Sequence, residues 1–267
     1  MKSLLERFLI RILKLLHVNL LQHAHIQIGA GHNTYLSGEE YVIDSLLNAI
    51  LKRDPLTIFD VGANIGDYAK MLRAKFPEAQ IHCFEPGPEA FKALALNTAE
   101  LQINIHNLAV GSRNGTIILV RGSNDNDGAM LTAYKDAISD IFTFAGEPNE
   151  SIRCNMISLD DFCNNSLFNI DFLKIDVEGH ELEVLKGAAK LINENRLNII
   201  QFEFNEFNII SKSFFYDYYK ILPQYEFYRI MPQNKLYPLG NYTSSHEIFR
   251  YQNILAVNKA VNYTYVP

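Results

Sequence analysis

The chain of 267 residues contains no tryptophan, only three cysteines and no long uncharged apolar run. Without tryptophan, any stacking on a ring-shaped ligand falls to its 14 tyrosines and 17 phenylalanines. Cys83, Cys154 and Cys163 are odd in number and lack the paired spacing of a zinc site. Cys83 lies in an apolar run and reads as a small buried hydrophobe. Free thiols fit a reducing compartment, so a cytoplasmic protein is expected. Excess positive charge is also missing. The formal net charge is −6, with no basic face outside the N-terminus, which argues against nucleic acid as a partner.

The apolar N-terminus, "MKSLLERFLIRILKLLHVNLLQ" over residues 1–22, is interrupted by Glu6, Arg7, Arg11 and Lys14. No uncharged stretch there reaches the roughly 18 residues of a spanning helix. No small-residue cleavage site comes after it, so no signal peptide is expected. Arg7, Arg11 and Lys14 fall on one stripe of a helix, and Leu5, Leu9, Ile12 and Leu16 on the opposing stripe. Two readings stay open. One is a packing or dimerisation helix that would make a homo-oligomer. The other is an in-plane helix, residues 1–20, that would hold the protein peripherally at the inner membrane surface.

Beyond the N-terminus the chain is rhythmic. "SGEEYVIDSLLNAILKRDP" has helical spacing and stops at Pro55. "LTIFDVG", "AQIHCFEPGP" and "INIHNLAVG" read as strands, separated by the helices "GDYAKMLRAKF" and "PEAFKALALNTAE". Such βαβαβ alternation with short connections predicts a parallel, doubly wound α/β sheet. Residues of about 115–160 break the rhythm. "GTIILVRG" and "ESIRCNMISLDDF" read as strands of an antiparallel insertion whose loop "GSNDNDGA" lies over the site. Alternation resumes with strand "IDFLKID", one helix "HELEVLKGAAKLI" presenting Leu182, Leu185, Ala189 and Ile192 on one face, and strand "LNIIQFEFNE". "YEFYRI" and "NILAVN" suit terminal antiparallel strands.

The first βα turn, "TIFDVGANIGDYA" over residues 57–69, carries the first chemical signal. Ligands of parallel α/β sheets bind at the carboxyl ends of strands. Gly62 and Gly66 let backbone approach a ligand with no Cβ in the way. Asp60 ends the strand and can accept from an ammonium or hydroxyl group. Glu85 ends the next strand and can accept from both hydroxyls of a ribose. A G-x-G-x-x-G turn would need glycine at 64 and 67, where Asn64 and Asp67 stand. The pyrophosphate cradle is therefore absent, and Asp67 would repel phosphate. An acidic, diphosphate-free turn suits S-adenosyl-L-methionine, a cation that bears a ribose and an amino-acid tail.

"FDVGANIGDYA", "FEPGPEAFKALALN", "NLAVGS", "SLDDF" and "DFLKIDVEGHELEVLKGA" together resemble the FkbM-type methyltransferases across residues of about 57–205. The resemblance implies the class I methyltransferase fold. That fold is Rossmann-like, with a doubly wound, mostly parallel seven-stranded sheet. It further implies S-adenosylmethionine as methyl donor and O-methylation of a hydroxyl on a sugar, glycan or other small molecule. Carried over by position, Asp60, Gly62, Asn64 and Gly66 would form the donor turn, Glu85 would hold the ribose, and Asn107 and Ala109 would lie near the adenine. The implied organisation is an N-terminal helical extension over 1–54 and a methyltransferase domain over 55–267.

Methyl transfer from a sulfonium is an in-line displacement, so alignment of the nucleophile dominates. An alcohol also needs help losing its proton, from a base or a metal. "KIDVEGHE" supplies Asp176 at a strand end, then Glu178 and His180 around Gly179, and Glu203 ends the neighbouring strand. His180 is the expected base because its ordinary pKa lies near neutrality. No metal is required, and a metal, if used, would take Asp176 and Glu203. Glu181 and Glu183 read only as helix N-terminal charges. Lys174 reads as a structural ion-pair partner, and Tyr216, Tyr218, Tyr219, Tyr225 and Tyr228 as sugar-stacking or core aromatics. An Asp/Asn-Pro-Pro-aromatic signature is missing after the fourth strand, which disfavours methylation of base or amide nitrogen. Two rivals remain: a nicotinamide-dependent oxidoreductase or epimerase, which would need the missing pyrophosphate turn, and a degenerate methyltransferase fold acting as a binding module.

Overall fold

The computed structural model describes residues 38–51, 55–125, 131–164, 169–231 and 235–261. The N-terminal amphipathic stretch and residues 126–130 of the insertion loop lie outside the described residues. Helix α1 (residues 39–50) is α-helical over Glu39–Tyr41 and Leu47–Ile50 and π-helical over Val42–Leu46. It leads into β1 (Thr57–Val61), α2 (Asp67–Lys75), β2 (Gln80–Phe84), α3 (Pro88–Asn97) and β3 (Asn104–His106). The insertion comprises β4 (Ala109–Val110), β5 (Gly115–Gly122), α4 (Lys135–Asp140), β6 (Pro148–Ile157) and α5 (Leu159–Phe162). The chain then returns through β7 (Ile170–Ile175), α6 (Glu181–Lys186), α7 (Ala189–Asn193) and β8 (Leu197–Phe204). It finishes with α8 (Phe207–Ser211), α9 (Phe215–Ile221), β9 (Tyr225–Met231), β10 (Lys235–Pro238) and β11 (Gln252–Asn258).

The main sheet runs β10-β9-β11-β8-β7-β1-β2-β3. Strands β3, β2, β1, β7 and β8 are parallel, and β11, β9 and β10 add antiparallel pairs. This is the class I methyltransferase fold that the resemblance implied, with the four-residue β10 as an eighth strand at the edge. β1 and β7 are buried at every position, because helices cover both faces. Phe59, Leu173, Phe202, Val184 and Leu185 belong to one core, and Ile58, Phe172, Ile199, Leu47 and Leu72 to the other. Helix α1 contributes Val42, Leu46 and Leu47 to that second core, so it packs as part of the sheet's cover.

Three elements differ from the sequence reading. "INIHNLAVG" is two strands in two sheets: β3 ends the main sheet, and β4 joins β6 and β5 in a separate three-stranded sheet. The chain departs at Asn107, whose Nδ2 donates to the carbonyls of Glu85 (2.9 Å) and Pro86 (3.1 Å). "ESIRCNMISLDDF" is strand only to Ile157. Ser158 then caps α5, its Oγ accepting from Asp161 N at 3.2 Å. "HELEVLKGAAKLI" breaks into α6 and α7 at Gly187, where an added Cβ would lie 2.0 Å from the Gly111 carbonyl oxygen. The break shifts the helical phase. Ala188 turns inward at 0% exposure and Ala189 faces outward, the reverse of the uninterrupted-helix expectation.

Candidate functional site

The carboxyl ends of β1, β2, β4 and β7 converge on a cleft whose open space is about 710 Å³. Its floor begins at Gly62, with φ 84°. An added Cβ there would lie 1.7 Å from the Asp176 carbonyl oxygen, so glycine is what lets β1 and β7 end side by side. Asn64 comes next on the cleft floor with φ 46°, and its backbone N–H donates to Glu85 Oε2 at 2.9 Å. Gly87 N donates to Glu85 Oε1 at 2.7 Å. Two main-chain donors thus fix the Glu85 carboxylate on the cleft wall, with lone pairs left for further donors. Burial, only partly opposed by those two hydrogen bonds, pushes the Glu85 carboxyl up to about 7. Asn64 Oδ1 is buried without a partner among the described residues.

On the opposite side, β7 ends at Ile175 and the chain turns through Asp176, Val177, Glu178 and Gly179 into His180. Glu178 and Gly179 both have positive φ, 51° and 98°. The turn is held from beneath by Glu181, 1% exposed, whose Oε1 accepts from Val177 N (3.2 Å) and Gly179 N (3.1 Å). Burial raises the Glu181 carboxyl to about 7. It is held from above by the insertion. Thr132 Oγ1 donates to the Glu178 carbonyl at 2.8 Å, and Tyr134 Oη lies 3.2 Å from His180 Nδ1. Tyr134 also packs on Gly179, where an added Cβ would come within 3.2 Å of its ring.

Most of the site residues named from the sequence meet here. Gly62, Asn64, Glu85, Ala109, Asp176, Glu178 and His180 line the cleft. Four do not. Asp60 is 0% exposed, sits across from Lys174 in the β1–β7 register, and has neither oxygen hydrogen-bonded among the described residues. Burial lifts its carboxyl to about 6, against the pull of Lys174. Gly66, φ 91°, serves helix packing: an added Cβ would meet Leu94 at 2.7 Å and Thr98 at 3.1 Å. Asn107 pins the exit of β3. Glu203 lies behind the wall, accepting from Asn205 Nδ2 at 3.1 Å.

Lys174 organises the acids. Its Nζ donates to Asp176 Oδ2 at 2.9 Å, lies 4.0 Å from Glu39 Oε1 and stands 4.9 Å over the Tyr68 ring. Gln201 links the same group, donating to Glu39 at 3.2 Å and accepting from Tyr68 Oη at 3.3 Å. The structural ion pair expected of Lys174 is therefore formed, and it occupies Asp176. Burial, then the neighbouring Asp176, push the carboxyls of Glu178 and Glu203 well above the usual range. Glu178 lines the cleft half-buried, and its carboxylate makes no hydrogen bond among the described residues. A wall of carboxyls that raise one another's pKa favours a cation, which would lower them all. Among the described residues no group of three or more His, Cys, Asp or Glu is placed to hold a metal ion.

Burial lowers the pKa of His180 and so favours its uncharged imidazole. Its Nε2 is buried beside Gly111, without a partner among the described residues. Tyr134, Thr132 and Glu181 are the residues the sequence reading missed as parts of the site. Gly179 was the available signal for Glu181: a turn that exposes successive N–H groups needs an acceptor nearby. Nothing local marks Tyr134, which reaches His180 across 46 residues. Of the tail tyrosines, Tyr218, Tyr225 and Tyr228 are core, Tyr219 is half-buried with its Oη on the Gly240 carbonyl (2.9 Å), and Tyr216 is 44% exposed.

The chain is 29% identical over 161 residues to the 2-O-methyltransferase NoeI of Sinorhizobium fredii, covering 57% of this chain and 64% of that protein. It is 29% identical over 167 residues to the hexuronic acid methyltransferase AglP of Haloferax volcanii, covering 62% of this chain and 63% of that one. It thus spans somewhat less than two thirds of the length of both relatives. A putative caffeoyl-CoA O-methyltransferase from Staphylococcus aureus superposes with a TM-score of 0.42 at 11% identity, covering 96% of this chain and 99% of that chain. The family model for the methyltransferase FkbM domain matches residues 60–229, the stretch that carries both walls of the cleft, and the chain belongs to that family.

Proposed function

We propose that this chain transfers a methyl group to a hydroxyl oxygen of a sugar, glycan or other small-molecule acceptor. The domain over residues 55–267 would carry out the transfer, with the segment before it as an extension. The cofactor is S-adenosylmethionine, which supplies a methyl group already activated on a sulfonium. The observation that carries the reading is the Glu85 carboxylate, oriented by Asn64 N and Gly87 N at the end of β2 in a cleft whose wall also carries Asp176 and Glu178. Such a carboxylate accepts from a vicinal diol, and such a wall attracts positive charge. Asn64 Oδ1 offers one more acceptor.

Two groups on the wall can take the proton that the acceptor hydroxyl loses. Nε2 of His180 has no exposed surface, whereas the Glu178 carboxyl is half-buried, unpartnered among the described residues and, through burial, raised well above the usual carboxylate range. The proton is therefore assigned to Glu178. His180 and Tyr134 then hold the turn that carries it, and Lys174 holds Asp176 beside it through the 2.9 Å ion pair. The test is transfer of labelled methyl from S-adenosylmethionine to hydroxyl-bearing saccharides and small alcohols. An alkali-stable label on the acceptor marks an ether and supports the reading. An alkali-labile ester, or no transfer by a protein that binds the donor, would overturn it.

A further inference from the structure

A second concavity, with about 780 Å³ of open space, lies between α6 and α9. It has no lining residue in common with the methyl-transfer cleft but meets it through one side-chain contact. Tyr134 lines it, and the Tyr134 hydroxyl is the group that contacts Nδ1 of His180, which lines the cleft. Its lining is mixed in sign and rich in hydrogen-bonding groups. Lys186, Lys212 and Lys220 are set against Glu183 and Asp217. Each acid is already engaged: Glu183 with Lys186, and Asp217 with Phe214 N at 3.0 Å. Lys212 has a positive φ of 55°, which carries it out of the α8 helix, and its ammonium has no hydrogen bond or ion pair among the described residues. Ser211 and Ser213 hydrogen-bond each other at 3.0 Å, which uses one hydroxyl hydrogen and leaves the other free.

We propose that this groove is the acceptor subsite and that it takes a polyhydroxylated saccharide, so that with methyl transfer in the cleft as proposed above, the acceptor is a glycan and not an apolar alcohol. A sugar presents a donor and an acceptor at each hydroxyl, which matches a lining that carries both. An apolar ring would cover the Lys212 ammonium and the free serine hydroxyl hydrogen while offering them no partner, and burying unpaired charge is strongly unfavourable. Tyr134 lines the groove, and its place beside His180 puts the groove next to the turn that carries Glu178.

A glycan array probed with the protein loaded with S-adenosylhomocysteine tests this without relying on turnover. The array carries neutral, uronate-bearing and phosphorylated saccharides, which also separates the sources of any charge on the ligand. Wild type is expected to bind a defined set of saccharides. The double variant Lys212→Ala/Lys220→Ala, both positions exposed and off the cleft, is expected to lose on the order of tenfold or more in saccharide affinity, as removal of charged hydrogen-bond partners does. Its melting temperature and its affinity for S-adenosylhomocysteine should match wild type. Ser211→Ala is a milder second variant with the same expected direction. Undiminished saccharide binding in both variants would overturn the groove assignment, as would a donor-binding wild type that captures no saccharide. Failure of wild type to bind S-adenosylhomocysteine would instead count against the donor site, with saccharide binding still deciding the groove.

Discussion

With Glu85 holding the donor's ribose as proposed, donor affinity should fall as pH falls. Burial holds its carboxyl at about 7 even though Gly87 N and Asn64 N donate to it. A ribose diol donates to the ionised carboxylate, so the protonated fraction binds poorly. With a pKa near 7, about a tenth of the molecules are ionised at about pH 6 and about nine tenths at about pH 8, so affinity should fall roughly tenfold from the higher pH to the lower, or about 1.4 kcal/mol. S-adenosylhomocysteine is the right probe, because it keeps the ribose and lacks the sulfonium that would act on the other carboxyls. Calorimetry in two buffers of different ionisation enthalpy should show proton release on binding near neutrality. Glu85→Gln removes the charge and turns an amide N–H toward one of the two backbone donors. It should weaken binding by about 1.5–3 kcal/mol, the worth of a hydrogen bond to a charged group, and flatten the pH profile. Asp60 and Glu181, raised to about 6 and about 7, titrate in the same window and are unchanged in the variant. A wild-type affinity that is flat between those pH values, or an equal slope in Glu85→Gln, would refute the assignment of Glu85 to the ribose.

The same raised carboxyls bear on stability without donor. Asp60, Glu85 and Glu181 hold protons in the native state at pH values where the unfolded chain has lost them, so unfolding free energy should fall as pH rises from about 4.5 through about 7. Melting followed by scanning fluorimetry should show a lower midpoint at about pH 8 than at about pH 5, and a rise would contradict the burial argument. Tyr134→Phe keeps the ring on Gly179 and removes the hydroxyl from His180; turnover should drop by about tenfold, the loss of one positioning hydrogen bond, while donor affinity stays constant by calorimetry. Gly62→Ala places a Cβ 1.7 Å from the Asp176 carbonyl oxygen at φ 84°. Denaturant unfolding should show a loss of at least about 2 kcal/mol, since clash and backbone strain add, and wild-type stability would mean that β1 and β7 end farther apart than described.

The fold was legible wherever one element's own residues decided its fate. Apolar runs ending in an acid mark β1 and β7, because a strand buried on both faces must be continuously apolar, and a shorter run marks the partly exposed β2. The errors fall where a distant contact decided. Gly187 looked like an ordinary helical residue, and the Gly111 carbonyl, brought in by the insertion, leaves no room for a side chain where the helix breaks. Asn107 looked like the middle of a strand, and the exposed carbonyls of Glu85 and Pro86 capture its side chain.

The site divides along the same line, and the division sharpens the roles of its glycines and acids. Gly62 and Gly66 are indistinguishable in sequence, four residues apart in one turn. Gly62 is required by the β7 backbone at the cleft floor, whereas Gly66 is required by Leu94 and Thr98 on the far side of α2. Asp60 and Glu85 both end strands. Their fates differ because the residue beside Asp60 is Lys174, reached only through β1–β7 pairing, while Glu85 has two backbone N–H groups in front of it. Lys174 in turn ties Asp176 to Glu39, so the acid at the end of β7 is shared between the cleft and helix α1. The turn from Asp176 to His180 is therefore fixed from three directions by elements far apart in sequence: α1 through Lys174, the insertion through Thr132 and Tyr134, and α6 through Glu181. A turn with positive φ at Glu178 and Gly179 persists only when its surroundings over-determine it. The three supports hold the backbone on either side of one half-buried carboxyl, and that fixed position supports the proposal that Glu178 takes the proton.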